Sequence, residues 1–330
     1  MRRREFIVFL GSAAGVLPVT ALAKDGARLR KLGILVNLES NDEEGQARIR
    51  AFAKELPKHG WMEGENLHTE IRWAGENTER YHEYATELIA LSPDVLLASA
   101  SPSVAALQRV TRDVPIIFAN VIDPVGAGFV TSLARPGGNT TGFTAFEYSI
   151  SGKWLDLLKE LTPDLKRVAV VRDPLIAAGI GQFAAIQTLA SSASALELTA
   201  INPRDPAEIS TALAAFARER NGGVIITASS PTAAHRDLLL SLALQFRLPT
   251  VSPFRYFTAN GGLASYGPAT NDGYERAATY VDRVLKGEKP QNLPVQAPTK
   301  YELSINLRTA KAIDLEIPQT LLARADEVIE

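Results

Sequence analysis

Two doubly wound α/β lobes facing each other across a cleft are the fold this chain predicts, and three observations predict it. Strand-like apolar runs alternate with amphipathic helical stretches in two successive series, before and after residue 146. Polar side chains collect where those runs end, which is the edge at which open α/β sheets meet ligands. A chain of 330 residues holds two domains of ordinary size.

In the first series, Leu32 to Asn37 is a strand. Asn37-Leu-Glu-Ser-Asn-Asp42 offers N-caps to a helix with Ile49, Phe52, Ala53 and Leu56 at helical spacing. Pro57 to Asn66, with Gly60 and Gly64, is a turn-rich break, and Leu67 to Trp73 alternates as a second strand. Tyr81 to Leu91 is a helix with Tyr84, Leu88 and Leu91 on one face. Asp94 to Ser99 is a third strand, opening into Ser99-Ala-Ser-Pro-Ser103 and the helix Val104 to Thr111. Ile116 to Ala119 is a continuous apolar run suited to a parallel strand covered on both faces, broken at Asn120 to Pro124. The turn cluster Arg135-Pro-Gly-Gly-Asn139 and a short strand, Thr141 to Thr144, lead to the second lobe.

There the alternation restarts. Helices are expected at Ser151 to Leu161, Gly179 to Ala195, Pro206 to Arg218 and Thr232 to Phe246. The intervening strands are Val168 to Val171, Leu196 to Ile201, Gly223 to Thr227 and Pro249 to Ser252. Leu263 to Tyr266 is a strand, Asp272 to Lys286 a helix ended by Gly287, and Glu302 to Asn306 a strand. Short helices are expected near Arg308 to Ile313 and Pro318 to Val328. The expected lobes are residues 32–144 with about 268–330, and 147–266, with the chain crossing more than once to form a hinge.

Composition narrows the function. The 46% hydrophobic and 22% charged content describes a globular protein, and a formal charge of −2 provides no basic field for nucleic acid or anionic lipid. Without cysteine there is no disulfide, thiolate metal site, Cys nucleophile or lipoprotein anchor. Arg2, Arg3 and Arg4 precede the apolar run Phe6 to Leu17, and Ala21-Leu-Ala23 follows. That is an export signal cleaved near Ala23, with Arg3-Arg4-Glu-Phe-Ile7 similar to the twin-arginine type, and it predicts a periplasmic protein with no membrane span once mature.

Catalytic motifs fail one by one. Gly179-Ile-Gly-Gln-Phe-Ala184 matches GxGxxA but does not follow a strand immediately, so its glycines are read as easing helix entry. Gly152-Lys153 lacks the upstream Gly and following hydroxyl of a P-loop, and Gly138-Asn-Thr-Thr-Gly142 has Thr where a nucleophile elbow needs Ser. The four histidines show no metal-ligand spacing. No cofactor, metal or enzymatic activity is expected.

What remains is strand-end chemistry: Asn37, Glu39 and Ser40; Ser99, Ser101 and Ser103; Asn120 and Asp123; Arg172 and Asp173; Ser229 and Ser230. Hydroxyls and free N–H groups where a helix begins, as at Ser101 to Ser103, suit a carboxylate. Asp123, Glu39 or Asp173 suits an ammonium, and Phe146, Phe254, Tyr256 and Tyr266 suit the walls of an apolar pocket. Each alone also fits a cap or turn. Together they describe a polar, non-catalytic cleft in which Asp123→Ala is expected to weaken binding most.

Several passages resemble one family. They are Leu56-Pro-Lys-His-Gly-Trp-Met-Glu-Gly-Glu-Asn66, Asp123-Pro-Val-Gly-Ala-Gly128, Ser132-Leu-Ala-Arg-Pro-Gly-Gly-Asn-Thr-Thr-Gly142, Gly261-Gly-Leu-Ala-Ser-Tyr-Gly267 and Ala277-Ala-Thr-Tyr-Val-Asp-Arg-Val-Leu-Lys-Gly287. Together with the ending Leu321-Leu-Ala-Arg-Ala-Asp-Glu-Val-Ile-Glu330, they are similar to the ABC transporter substrate-binding proteins that include tryptophan-binding receptors. The resemblance, from about Leu32 onward, implies a type I periplasmic-binding fold with three interlobe crossings. It also implies a small solute trapped by hinge closure and delivered to a membrane permease with its cytoplasmic ATPase. Positions matching the family's cleft are the loop after the first strand, Ser101 and Ser103, Asn120 to Asp123, and the loop after Arg172.

The expected function is therefore that of a monomeric, exported receptor for an importer, binding a small carboxylate-bearing solute such as an amino acid. A receptor feeding a sensor or chemotaxis protein is the alternative among binding proteins, and an exported α/β enzyme is the alternative from another class.

Overall fold

The computed structural model describes residues 28–193 and 196–330. The export-signal residues Arg3, Arg4, Ala21 and Ala23 lie outside the described residues.

The first lobe is built from β1 (Arg30–Val36), α1 (Glu43–Glu55), β2 (Leu67–Trp73), α2 (Thr78–Ala90), β3 (Val95–Ser99), α3 (Ala100–Val110), β4 (Ile116–Ile122) and β5 (Thr140–Phe146). The strands pair in parallel in the order β2-β1-β3-β4-β5. Alternation along each strand divides the core in two. Leu32, Ile34 and Val36 face Phe52 of α1, while Leu35 faces Ala85 and Leu88 of α2 and Leu107 of α3. Asp42 caps α1, accepting from the Gly45 N–H at 2.8 Å. Near its end β4 bulges: the register slips on either side of Val121, and Asn120 takes a left-handed φ of 55°. Bulges of this kind bend a strand and re-aim its side chains.

The second lobe contains α4 (Ser151–Leu161), β6 (Arg167–Val171), α5 (Ala177–Ala193), β7 (Glu197–Ile201), α6 (Pro206–Phe216), β8 (Gly222–Ile226), α7 (Ser230–Ala234), α8 (Arg236–Gln245), β9 (Thr250–Ser252), α9 (Arg255–Ala259) and β10 (Ala264–Pro268). Then α10 (Asp272–Leu285) returns to the first lobe, where it packs on α1, β4 and β5. Finally β11 (Tyr301–Asn306), α11 (Leu307–Ala312), α12 (Gln319–Leu322) and β12 (Glu327–Ile329) come back to the second lobe. Its sheet has seven strands in the order β12-β11-β10-β9-β8-β6-β7.

Three expectations are corrected here. Residues 301–330 were expected with the first lobe, but β11 pairs antiparallel to β10 and β12 parallel to β11, extending the second sheet. The short helix expected over Pro318 to Val328 ends at Leu322, because Asp326 and Leu303 exchange hydrogen bonds that start β12. The helix expected over Thr232 to Phe246 divides at His235 into α7 and α8.

This strand membership makes the chain cross between lobes three times: after β5, after β10 and before β11. The first and third crossings run side by side, with Gln296 N–H donating to Gly142 and Thr144 N–H donating to Gln296, both at 3.0 Å. The GxGxxA glycines serve packing. A Cβ on Gly179 would sit 1.9 Å from the Asp173 carbonyl oxygen, and one on Gly181 would sit 2.4 Å from the Tyr148 ring.

Candidate ligand-binding cleft

Parallel strands of both sheets point their carboxyl ends toward the interlobe space, so the loops after β1, β3, β4, β6, β8 and β9 meet there. They surround a narrow cavity of about 40 Å³ that opens to solvent. Asn37, Arg48, Ser101 and Asn120 come from the first lobe, and Ser229, Ser230, Phe254 and Tyr256 from the second. Apolar surface is added by Leu38, Pro102, Ile122, Ile176, Ala178 and Ala233.

The first-lobe wall is held by a buried polar relay. Ser99 Oγ donates to Asn37 Oδ1 at 2.7 Å and is also hydrogen-bonded to the Tyr274 hydroxyl. Asn37 Nδ2 reaches across to Ser230 Oγ at 3.2 Å, and the Tyr81 hydroxyl lies 3.3 Å from that same oxygen. His235 Nε2 of the second lobe stands 3.7 Å from the Glu76 carboxylate of the first. These contacts describe lobes that are closed on one another.

Arg48 is the charged group of the cavity, with only 6% of its side chain exposed. Its Nε donates to Glu44 at 3.0 Å, and its guanidinium carbon lies 5.8 Å from the Tyr256 ring centroid and 6.0 Å from that of Tyr274. Burial opposes its charge, but the Tyr274, Glu44 and Tyr256 oxygens outweigh that and raise its pKa above the ordinary arginine value. Burial likewise raises the pKa values of Tyr256 and Tyr274, keeping both hydroxyls neutral. Thr270, on the second crossing, ties this group to the bulge. Its hydroxyl donates to Glu44 at 2.5 Å, and its carbonyl accepts from Asn120 Nδ2 at 2.8 Å. Gly273 leaves the room this needs, since a Cβ there would lie 2.9 Å from Asn120 Oδ1.

The start of α3 completes the wall. Ala100, at the start of α3, has φ 62°, and no side chain caps the helix, so its first turn opens on the cavity beside Ser101 and Pro102. Left-handed non-glycine residues at the ends of both β3 and β4 are backbone strain of the kind that gathers at binding sites.

The expected site residues divide. Asn37, Ser101, Asn120, Ser229, Ser230, Phe254 and Tyr256 line the cavity, and Ser99 lies buried behind Asn37. Ser103 is fully buried, away from the cavity lining. Glu39 is in an outer groove, 3.7 Å from Arg80, and Ser40 is exposed with its carbonyl accepting from Gln46. Asp123 closes a turn, accepting from Gly126 N–H at 2.7 Å; burial, with a smaller contribution from the Asp123 charge, pushes the Tyr148 hydroxyl pKa up to about 12. Arg172 lies over the Phe183 ring at 4.9 Å. Asp173, only 1% exposed, is gripped by both Arg204 Nε and Nη2 at 2.8 and 2.7 Å. Phe146 belongs to the core, edge-on to Trp154 at 5.5 Å, and Tyr266 stacks on Tyr301 at 5.9 Å in a separate groove. Sequence reasoning missed Arg48. Its i,i+4 spacing from Glu44 is that of a solvated surface pair, and the rings that lie over it, Tyr256 and Tyr274, come from distant parts of the chain.

Among the described residues, no group of His, Asp and Glu could hold a metal ion, and no helix is long and apolar enough to cross a membrane. The family model described as "ABC transporter substrate binding protein" matches residues 32–329. A protein named tyrosine-binding protein, from Clostridioides difficile, is 26% identical over 271 residues, which are 81% of this chain and 76% of that protein. The crystal structure of a conserved domain protein from Vibrio cholerae is 26% identical with a TM-score of 0.85, covering 91% of this chain and all of that one. The structure of an ABC domain in complex with L-Trp, from Streptococcus pneumonia, is 22% identical with a TM-score of 0.83, covering 91% and 99%.

Proposed function

The chain belongs to the ABC transporter substrate-binding protein family, whose members are solute receptors and not enzymes, and from that premise we propose that it is the periplasmic receptor of an importer, trapping a small carboxylate-bearing organic solute between its lobes. The observation that carries this reading is the buried Arg48 guanidinium beside the uncapped start of α3, both opening on one interlobe cavity. Together they supply charge-assisted and backbone donors for an anion, while Phe254, Tyr256, Ile122 and Ile176 supply an apolar enclosure. The two relatives named for tyrosine and tryptophan support a ligand of aromatic amino acid size.

Ligand contacts from both lobes stabilise the closed form, and closure is what a membrane permease with its ATPase reads as loaded. The twin-arginine-like amino terminus supports export to the periplasm.

Thermal unfolding of the purified protein against aromatic and aliphatic carboxylates, amino acids and sugars tests the reading. A ligand binding only the native state raises the midpoint. A rise with carboxylate-bearing compounds and none with sugars is expected; the reverse would remove Arg48 from the recognition site.

A further inference from the structure

The cavity can be read for charge balance as well as shape. Among the described residues its lining carries the Arg48 guanidinium and no carboxylate. A second guanidinium, Arg236, stands 5.9 Å from the Tyr256 ring centroid, but it lines the outer groove and is paired with Asp237 at 3.0 Å. The amino-terminal turn of α3 adds its partial positive charge from another side.

The carboxylates suited to meet an ammonium are engaged elsewhere. Asp173 is held by Arg204, Asp123 by the Gly126 N–H, and Glu44 by Arg48 and Thr270. Glu39 lines the outer groove, which meets the cavity at Asn37, Leu38 and Ser230, where the Asn37 to Ser230 hydrogen bond stands between the two. An α-ammonium inside would lose its water and gain only neutral oxygens from Ser101, Asn120 and Ser229. At the Tyr256 face it would compete with the Arg48 guanidinium already placed there.

We propose that this cleft selects carboxylic acids lacking an α-ammonium, with arylalkanoic acids the fitting class, over the amino acids of the same skeleton. The proposal rests on the carboxylate reading above. The carboxylate is taken by Arg48 and the start of α3, and the ring lies against the stacked pair Phe254 and Tyr256, whose centroids are 5.6 Å apart at 19°. The selectivity comes from the lack of a carboxylate in the lining, which leaves the second charge of a zwitterion desolvated and unpaired.

Matched pairs titrated calorimetrically into the wild-type protein test this: phenylpropionate against phenylalanine, hydroxyphenylpropionate against tyrosine, and indolepropionate against tryptophan, with phenethylamine as an ammonium without a carboxylate. The acid is expected to bind at least about tenfold more tightly than its amino acid in every pair that binds, with no heat from phenethylamine. A ratio below about ten, or a reversed one, overturns the selectivity while leaving the carboxylate site standing. Failure of every acid to bind, with or without binding of phenethylamine, overturns both.

Discussion

Asn37 Nδ2 of the first lobe donates to Ser230 Oγ of the second at 3.2 Å, joining the lobes directly across the cleft. Ser230→Ala removes this contact and the approach of the Tyr81 hydroxyl at 3.3 Å, while Tyr81 keeps its bond to the Gly75 carbonyl. Losing a buried hydrogen bond that only the closed form makes is expected to lower ligand affinity about tenfold. Titration calorimetry gives the affinity, and small-angle scattering of the ligand-free variant should show a larger radius of gyration. If both stay at wild-type values, this bond does not bias closure.

Arg48→Met removes the cavity's guanidinium while keeping much of its volume. A charge-assisted bond to a ligand carboxylate corresponds to roughly a ten- to hundredfold loss of affinity. Asp123→Ala, which affects a turn and not the cavity lining, is expected to stay within about twofold of wild type. The same titration measures both variants, and equal losses would contradict the assignment.

What the sequence could place around the cavity is local, and what it could not place is non-local. Asn37, Ser101, Asn120, Ser229 and Ser230 were legible because parallel strands collect their carboxyl ends on one edge, so a polar residue after an apolar run is already placed. Asp173 met the same criterion, yet Arg204 from the loop after β7 neutralises it, and no spacing near Asp173 reveals that partner. Phe146 and Phe254 looked alike as aromatic residues near strand ends, but only Phe254 reaches the cavity, while Phe146 packs on Trp154. The tail shows the same limit: β11 was readable as a strand, but its pairing with β10 depends on which edge was left open.

Asp173→Ala should affect stability before recognition. It leaves Arg204, 22% exposed at its side chain, without the carboxylate that holds it. Breaking one side of a buried pair costs about 3 kcal/mol. Denaturant unfolding should show a lower midpoint with an unchanged slope, since the surface exposed on unfolding is the same.

Acid is expected to weaken the β12 edge. The hydrogen bond from Arg255, partly opposed by burial, holds the Glu327 pKa below its ordinary 4.5. Its contribution is complete above that value and is lost as the pH falls through the lower folded-state pKa. The pair is well exposed, 56% at Arg255 and 32% at Glu327, so the effect is small. Wild type should melt about a degree or two above Arg255→Ala near neutral pH, with the gap closing below about pH 4. A gap independent of pH would assign the difference to packing.

The late return of α10 governs the order in which the molecule can be assembled. Tyr274, Ala277 and Val281 cover the sheet face formed by Leu32, Ile34 and Ile117, yet the whole second-lobe run from α4 to β10 is synthesised between them. An emerging chain therefore carries one apolar face covered by α1 alone until Leu285 has been made, a condition in which partly folded species associate. The first lobe is the earlier to be synthesised and, for want of a single helix, among the last parts to be completed.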